Sequence, residues 1–294
     1  MSQYASNIFI EGNEPAKIDG NIFTPDPKLA AHYEDWVGNI LDDIQHTITG
    51  EVLLREIRRG PMGTNLRIIP FPLADARTIP KDPLKSAPRG QQLRFPGDLP
   101  NTVQVEKAGQ PRLDDQGKPM VGTGEGSNVT ILYHPHVWML DSYRTGHVGN
   151  VMPDDALVHE LMHGLRMMSG LLLTNQMEDN SQTARYENTE EFYALLVANI
   201  YVSELNKKSG RGQKLRGNIS APNKFVSLTP DEAISQSFYQ SHKDLIDRLS
   251  KEMIGLCHGG GQKGLMSVPA DFNPIRDSEK FQEDLRMRMY GAGV

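Results

Sequence analysis

Residues 154–170, DDALVHELMHGLRMMSG, are the stretch from which the rest of the chain is interpreted. Pro153 and Asp154 are typical of a helix start, and Gly170 is typical of the residue that follows a helix C-terminus. The apolar residues between them recur at helical spacing. The sequence therefore predicts one continuous helix here.

This predicted helix carries a His-Glu-x-x-His motif, which consists of His159, Glu160 and His163. Residues four apart lie on the same face of a helix, so the two imidazoles can bind one metal ion with Glu160 beside them. Catalytic zinc takes three protein ligands and leaves one position open. The motif therefore requires a third ligand from elsewhere in the chain.

Glutamates at the start of a second predicted helix, residues 189–210, are the candidates for the third ligand. Glu191 is preferred, because its Glu-x-x-small pattern ends at Ala194 and lets this helix pack closely against the first. Glu190 is the alternative, and Glu187 is a third acid nearby. Acids in a first helical turn also favour the helix dipole, which is a structural explanation for the same residues.

The chemistry follows if Zn²⁺ is held by His159, His163 and Glu191. Zinc lowers the pKa of a water in its open position, and Glu160 is expected to take the proton as general base and pass it to the leaving amine. Tyr186 is the candidate donor to the developing oxyanion, although a packing tyrosine explains it equally well. Weaker candidates for this donor are Tyr133, His134, His136 and His147.

Two segments together carry a resemblance to a known family. VHELMHGLRMMSG (158–170), followed by YENTEEFYALLVANIY (186–201), resembles the glutamate-type zincins, in particular the zinc metalloprotease effectors that pathogenic bacteria deliver through type III or related secretion systems. The EEFYA portion is also similar to the ligand helix of anthrax lethal factor. Ser169 stands where some effector proteases carry an aspartate ligand, which favours a glutamate ligand here. The resemblance implies zinc-dependent proteolysis of a protein in a partner cell.

Two other functions remain open for the same residues. One is a non-catalytic, zincin-shaped binding or toxin-like module in which the metal stabilises the fold. The other is a zinc amidase that acts on a cell-wall or small-molecule amide. Intact Glu160 favours an enzyme over the binding module, because a structural site needs the histidines but no adjacent base.

The predicted fold class is α+β: a zincin-like metallopeptidase with a small, partly antiparallel sheet and a largely helical C-terminal part. Residues 1–27 are polar and lack a sustained period, so they are expected to form an extended N-terminal arm. Residues 28–294 are expected to form a single catalytic domain with its core at about 128–206. Within the C-terminal part, residues 227–256 are predicted to form one helix.

Patterns elsewhere predict individual elements. Residues 29–48 fit an amphipathic helix, whereas 50–60 and 66–73 are short apolar runs that we interpret as the start of a hairpin or meander. Residues 128–140, NVTILYHPHVWML, form the strongest strand candidate and precede the metal helix. Pro135 within this run suits an edge strand that lines a cleft.

Composition limits the partners and the compartment. The net charge of −6 with interspersed signs provides no basic stripe, so nucleic acid is not an expected partner; a protein or peptide substrate is. No apolar run of about 18 residues exists and no secretory signal is recognisable, so stable membrane insertion is not expected. We expect a protein that is cytoplasmic in its producing cell or secreted without a cleaved signal peptide. The single Cys257 excludes an internal disulfide, and the oligomeric state stays open.

Overall fold

A computed structural model describes the parts of the chain that form the site and its support. The described residues are 1–18, 21–25, 27–60, 63–70, 77–80, 105–107, 110–111, 126, 128–135, 151–171, 186, 189–216 and 232–291. The strands are β1 (Ser2–Ala5), β2 (Ile8–Ile10), β3 (Ala16–Ile18), β4 (Asn21–Phe23), β5 (Leu66–Pro70), β6 (Arg77–Pro80), β7 (Val105–Lys107), β8 (Gln110–Pro111) and β9 (Val129–Tyr133). The helices are α1 (Pro27–Gln45), α2 (Ile48–Arg58), α3 (Pro153–Met168), α4 (Thr189–Ser209), α5 (Glu232–Ser241), α6 (Lys243–Glu252), α7 (Ile254–His258) and α8 (Pro274–Gly291), with a 3-10 turn at Leu265–Ser267.

One small mixed sheet lies beside the helices, with the strand order β1-β2-β5-β9-β6. Strands β2, β5 and β9 run parallel, while β1 and β6 are antiparallel to their neighbours at the two edges. The pairs β3–β4 and β7–β8 form separate two-stranded ribbons. The predicted α+β class with a small, partly antiparallel sheet is therefore confirmed.

The first ten residues belong to this sheet. Ile8 and Ile10 of β2 are fully or almost fully buried and pair in parallel register with Leu66 and Ile68 of β5. Part of the segment expected to form an extended N-terminal arm, residues 1–27, therefore contributes strands β1 and β2 to the sheet. Strands of three and four residues contain too few alternations to give a periodic signal, and their pairing partner lies far along the sequence. The single domain expected for 28–294 stays a prediction.

Residues 50–58 of the first apolar run lie in helix α2, so the predicted hairpin or meander was wrong, whereas the second run, 66–73, contains strand β5. Thr47 caps this helix by accepting a hydrogen bond from the amide of Gly50 at 2.9 Å. The buried carboxylate of Glu204 accepts further bonds from the amides of Ile48 and Thr49, at 2.6 and 2.9 Å. These bonds satisfy amides that a helix start leaves open, and two of the three are made to Glu204, which lies 155 positions after Thr49.

Strand β9 confirms the strand predicted before the metal helix, but it is not at an edge of the sheet. The short strand β6 pairs antiparallel with it and occupies the edge, and Pro135 lies just after β9 ends. The partner strand is four residues long within a Pro- and Gly-rich segment, where sequence patterns do not reveal pairing.

The C-terminal part is helical, as predicted, but residues 227–256 do not form one helix. The described part contains α5, α6 and α7, which are separated at His242 and Met253. Met253 has φ −126° and ψ 59°, which interrupts the helical backbone. The predicted helix cap at Thr229 and Pro230 lies outside the described residues. Among the described helices, none combines the length and apolar character needed to cross a bilayer.

Helix α3 lies at the centre of the fold, between the sheet and helix α4. It packs against β6, β9, α1 and α2, and most closely against α4. Gly164 permits the close approach to the sheet, because a Cβ atom there would lie 2.8 Å from Cδ1 of Leu66. The predicted metal helix is therefore held on both sides, which fixes the direction of its side chains.

We expect Gly50→Ala to destabilise the protein by about 1–3 kcal/mol or more, because the added Cβ would lie 2.0 Å from the carbonyl oxygen of Ile44. The matched change is Gly38→Ala in α1, where the new Cβ would lie 4.0 Å from Cδ1 of Ile10. Higher helix propensity should make that variant more stable by about 0.5–1 kcal/mol. Denaturant unfolding of both variants measures the two effects, and equal stability of Gly50→Ala and wild type would contradict the packing.

Candidate metal centre

The two histidines of the motif lie on one face of α3, as predicted from their spacing. Their Nε2 atoms are 3.1 Å apart, and both side chains are almost completely buried. The helix begins with Pro153 and ends at Met168, and Gly170 follows it with a φ of 66°. The amides of Gly170 and Leu171 bond back into the last turn, which is the Schellman arrangement and confirms the predicted end.

Glu191 completes a three-residue cluster from the first turn of α4. Its Oε2 lies 3.3 Å from Nε2 of His159, and its Oε1 lies 3.3 Å from Nε2 of His163. Each histidine faces a different oxygen of Glu191, and one ligand atom from each of the three side chains lies within 4.8 Å of the other two, so the group could hold one metal ion.

Glu190, the alternative ligand, is engaged elsewhere. Both of its carboxylate oxygens accept hydrogen bonds from Nε of Arg166 at 2.9 Å, and both side chains are buried. Consecutive residues of a helix point about 100° apart, so the two glutamates meet different partners on α3. The structure brings Glu191 to the histidines and Glu190 to an arginine. Glu187 lies outside the described residues.

Glu160 is buried on α3 next to His159. Its carboxylate raises the pKa of both His159 and His163, so it lies within electrostatic reach of both imidazoles. A carboxylate beside two imidazoles that could hold a metal ion is an arrangement that suits general-base chemistry.

The two imidazoles differ in the direction of their pKa shifts. Burial lowers the pKa of His159, and this effect outweighs the influence of Glu191. Burial also lowers the pKa of His163, but Glu191 and then Glu160 and Glu190 raise it, and the net result is a pKa of about 9. Burial raises the pKa of Glu191, but the two histidines lower it well below its ordinary value. Near neutral pH, the metal-free site therefore holds a proton on His163 opposite an ionised Glu191.

The Nδ1 atoms of the two imidazoles differ from the Nε2 atoms, which face Glu191. Nδ1 of His159 and Nδ1 of His163 are buried, and within the residues that the structure describes neither has a hydrogen-bond partner. Histidine ligands commonly donate this N–H to an acceptor that fixes the ring. Among the described residues, packing and Glu191 take over that orienting role.

Tyr186, the predicted oxyanion donor, lies in an aromatic cluster. Its ring packs edge-on against Phe192 at 5.0 Å and against His242 at 5.9 Å between ring centres. Phe238 stacks parallel to Phe192 at 5.9 Å and extends the cluster. These are contacts of a packing tyrosine, and the donor role of Tyr186 stays a prediction.

The weaker donor candidates are placed as follows. The hydroxyl of Tyr133 donates to the carbonyl of Pro153 at 2.7 Å and so ties strand β9 to the start of α3. His134 follows this strand and is half-buried. His136 and His147 lie outside the described residues.

Arg166 is a residue of this region that we did not predict from the sequence. It is fully buried among three helices, although arginine is almost never buried without a charged partner. A signal for it existed, because Arg166 is the one arginine or lysine in the apolar stretch LMHGLRMM. Its position seven residues after His159 also places it on the ligand face of the helix.

The comparisons with known proteins give no match that bears on this site. Protein-family models, curated proteins and solved structures were all compared with the chain, and none matches it.

Proposed function

We propose that this protein is a zincin-type metallopeptidase that hydrolyses peptide bonds with zinc held by His159, His163 and Glu191. The observation that supports the proposal most directly is the convergence of these three side chains, which place one ligand atom each within 4.8 Å of one another. The buried carboxylate of Glu160 beside them supplies the base.

The donor set favours zinc over harder cations. Two imidazole nitrogens and one carboxylate suit zinc and other late transition metals, whereas Mg²⁺ and Ca²⁺ prefer sites made of oxygen. Three protein ligands with an open fourth position are typical of catalytic zinc, since structural zinc is enclosed by four. The side chain of Glu191 is 25% exposed, whereas both imidazoles are nearly buried. We therefore infer that substrate approaches from the side of Glu191.

Zinc, when bound, would polarise the scissile carbonyl and acidify a water molecule. The remaining work falls to the chain itself. Glu160 accepts the proton of the attacking water on its carboxylate and delivers it to the amine that leaves. His159 and His163 hold their Nε2 atoms in fixed positions because α3 is packed on both faces. Their side chains therefore need no change of rotamer before the reaction.

A peptide substrate is favoured over a small amide by the sheet edge near this helix. Strand β6 packs against α3, and its far side has no strand partner within the described part of the chain. An extended peptide can add to such an edge through main-chain hydrogen bonds. The resemblance of residues 158–170 and 186–201 to the glutamate-type zincins supports the same substrate class.

We expect the purified protein, after exposure to zinc and dialysis, to retain about one zinc per chain by elemental analysis. Glu191→Ala should weaken zinc binding by more than about a hundredfold, because loss of a direct ligand exceeds the effect of losing an outer partner. Glu51→Ala removes an exposed first-turn glutamate from α2 and serves as the control. Zinc uptake by Glu191→Ala at the wild-type level would exclude this ligand set.

Glu160→Gln is expected to keep the zinc and to lose turnover by about 10²–10⁴-fold, because the amide cannot accept the proton. The measurement is cleavage of a proteome-derived peptide library, with new termini identified by mass spectrometry. Glu51→Gln makes the same chemical change away from the site and should cleave as wild type does. Equal cleavage by wild type and Glu160→Gln would contradict the assigned base.

Zinc binding should depend on pH in a direction that His163 sets. In the metal-free protein His163 has a pKa of about 9, so below that pH its proton must leave before the nitrogen can bind zinc. The apparent zinc affinity should therefore rise about tenfold per pH unit between pH 7 and pH 8.5, with about one proton released per ion. Calorimetry in two buffers of different ionisation enthalpy counts the proton. An affinity that stays constant over this range would show that His163 has already lost its proton before zinc binds.

A further inference from the structure

The guanidinium of Arg166 is buried next to the metal centre, and all three of its nitrogens donate hydrogen bonds. Its side chain is 0% exposed, and Nε shares its hydrogen between the two oxygens of Glu190, which is 1% exposed. Nη1 donates to Glu252 at 3.1 Å, and Nη2 donates to the carbonyl of Leu171 at 2.6 Å. The cation therefore connects α3 to α4 and α6 and also satisfies a carbonyl just beyond the end of its own helix.

Arg166 lies on the same face of α3 as the metal-binding histidines. It follows His163 by three residues and His159 by seven, and both separations return to one side of a helix. Its Cζ atom lies 4.6 Å from the ring centre of Tyr193 on α4. One face of α3 therefore contacts the first turn of α4 at two neighbouring places, the histidines at Glu191 and Arg166 at Glu190.

We propose that Arg166 and Glu190 are positioning residues for the metal centre, and that their ion pair holds the first turn of α4 so that the carboxylate of Glu191 meets both histidines. This inference rests on the proposed zinc site. It assigns Glu190 a role other than ligand, and it assigns Arg166 a role that helix packing alone does not require.

The Arg166–Glu190 ion pair lies at the first turn of α4, where an additional contact is needed to hold Glu191 in position. The first turn of a helix frays most readily, since its amides lack intrahelical partners. Glu191 is partly exposed and would lose side-chain freedom on binding a metal. A metal ligand must be held within about 0.5 Å of its productive position. Glu190, the buried neighbour of Glu191, can anchor this turn to α3 through its ion pair with Arg166.

The pair also separates the roles of two adjacent carboxylates. Glu190 and Glu191 are both ionisable groups of the same turn, and either could compete for one cation. Arg166 engages both oxygens of Glu190, which leaves Glu191 as the carboxylate directed at the histidines. A buried ion pair of this kind contributes little net stability compared with apolar packing, but it specifies one arrangement.

The test compares the same substitution at two buried glutamates of α4. Glu190→Gln removes the anchor, and Glu204→Gln, at the far end of the helix, alters a 3% exposed carboxylate that caps α2. Zinc affinity is measured by competition with a chelator of known strength, and Co²⁺ is substituted to record a visible spectrum that reports ligand geometry. We expect Glu190→Gln to weaken zinc binding about 10- to 100-fold and to alter the cobalt spectrum, whereas Glu204→Gln changes neither.

A metal-free measurement separates this inference from the proposed function. In chelator-treated protein, hydrogen exchange of the amides at residues 192–195, which make the first hydrogen bonds of α4, should accelerate about tenfold or more in Glu190→Gln, relative to the rest of α4. Glu204→Gln should leave those amides unchanged. If wild type binds no zinc, the proposed function fails, while this exchange experiment still decides whether Glu190 anchors the turn.

Three results would overturn the inference. The first is unchanged exchange at residues 192–195 in Glu190→Gln. The second is an unchanged zinc affinity in that variant, and the third is an equal loss of affinity in Glu190→Gln and Glu204→Gln, which would show a general effect of stability. If Glu190→Gln does not fold, Arg166→Lys provides the same test, since it keeps the charge and loses the planar fork. It should weaken zinc binding in the same direction.

Discussion

The contact between α3 and α4 buries ionisable side chains on which the arrangement of the site depends. His159, His163 and Arg166 on one helix face Glu190 and Glu191 on the other. Burying a charged side chain costs free energy unless the side chain has a partner. The two helices are therefore restricted to the register in which these side chains pair. Apolar packing would tolerate small shifts between helices, whereas this set of pairs does not.

Local signals explain which parts of the fold the sequence predicts correctly. Helix α3 is bounded by Pro153 and Gly170, whose effects act within one turn, and its ends agree with the prediction. Strands β2 and β6 were missed as members of the sheet, because pairing depends on contacts between distant segments. Helix α2 was missed for a related reason, since Glu204, a distant residue, supplies much of its N-terminal capping.

The same distinction applies within the site. Spacing alone is enough to place the two histidines on one helix face. It cannot choose between Glu190 and Glu191, because both occupy the first turn of α4 and either could turn toward α3. The choice depends on which group of the opposite helix each carboxylate meets, and Arg166 determines this by engaging Glu190. The ligand assignment therefore depends on the register between two helices, which no local pattern encodes.

The opposite end of α3 is fixed by the same kind of interaction. Arg211 binds both oxygens of Asp154, and Arg216 pairs with the fully buried Asp155 at 2.9 Å. Burial raises the pKa of Asp155, and Arg216 opposes that shift, so the pair resembles Arg166–Glu190 in its chemistry. Both arginines lie in the segment that follows α4, whose first turn carries Glu190, the acidic member of the other pair. Ion pairs at the two ends thus align α3 along α4, and the three side chains of the candidate metal site lie in the interval between them, where neither helix can slide or rotate without separating a buried charge from its partner.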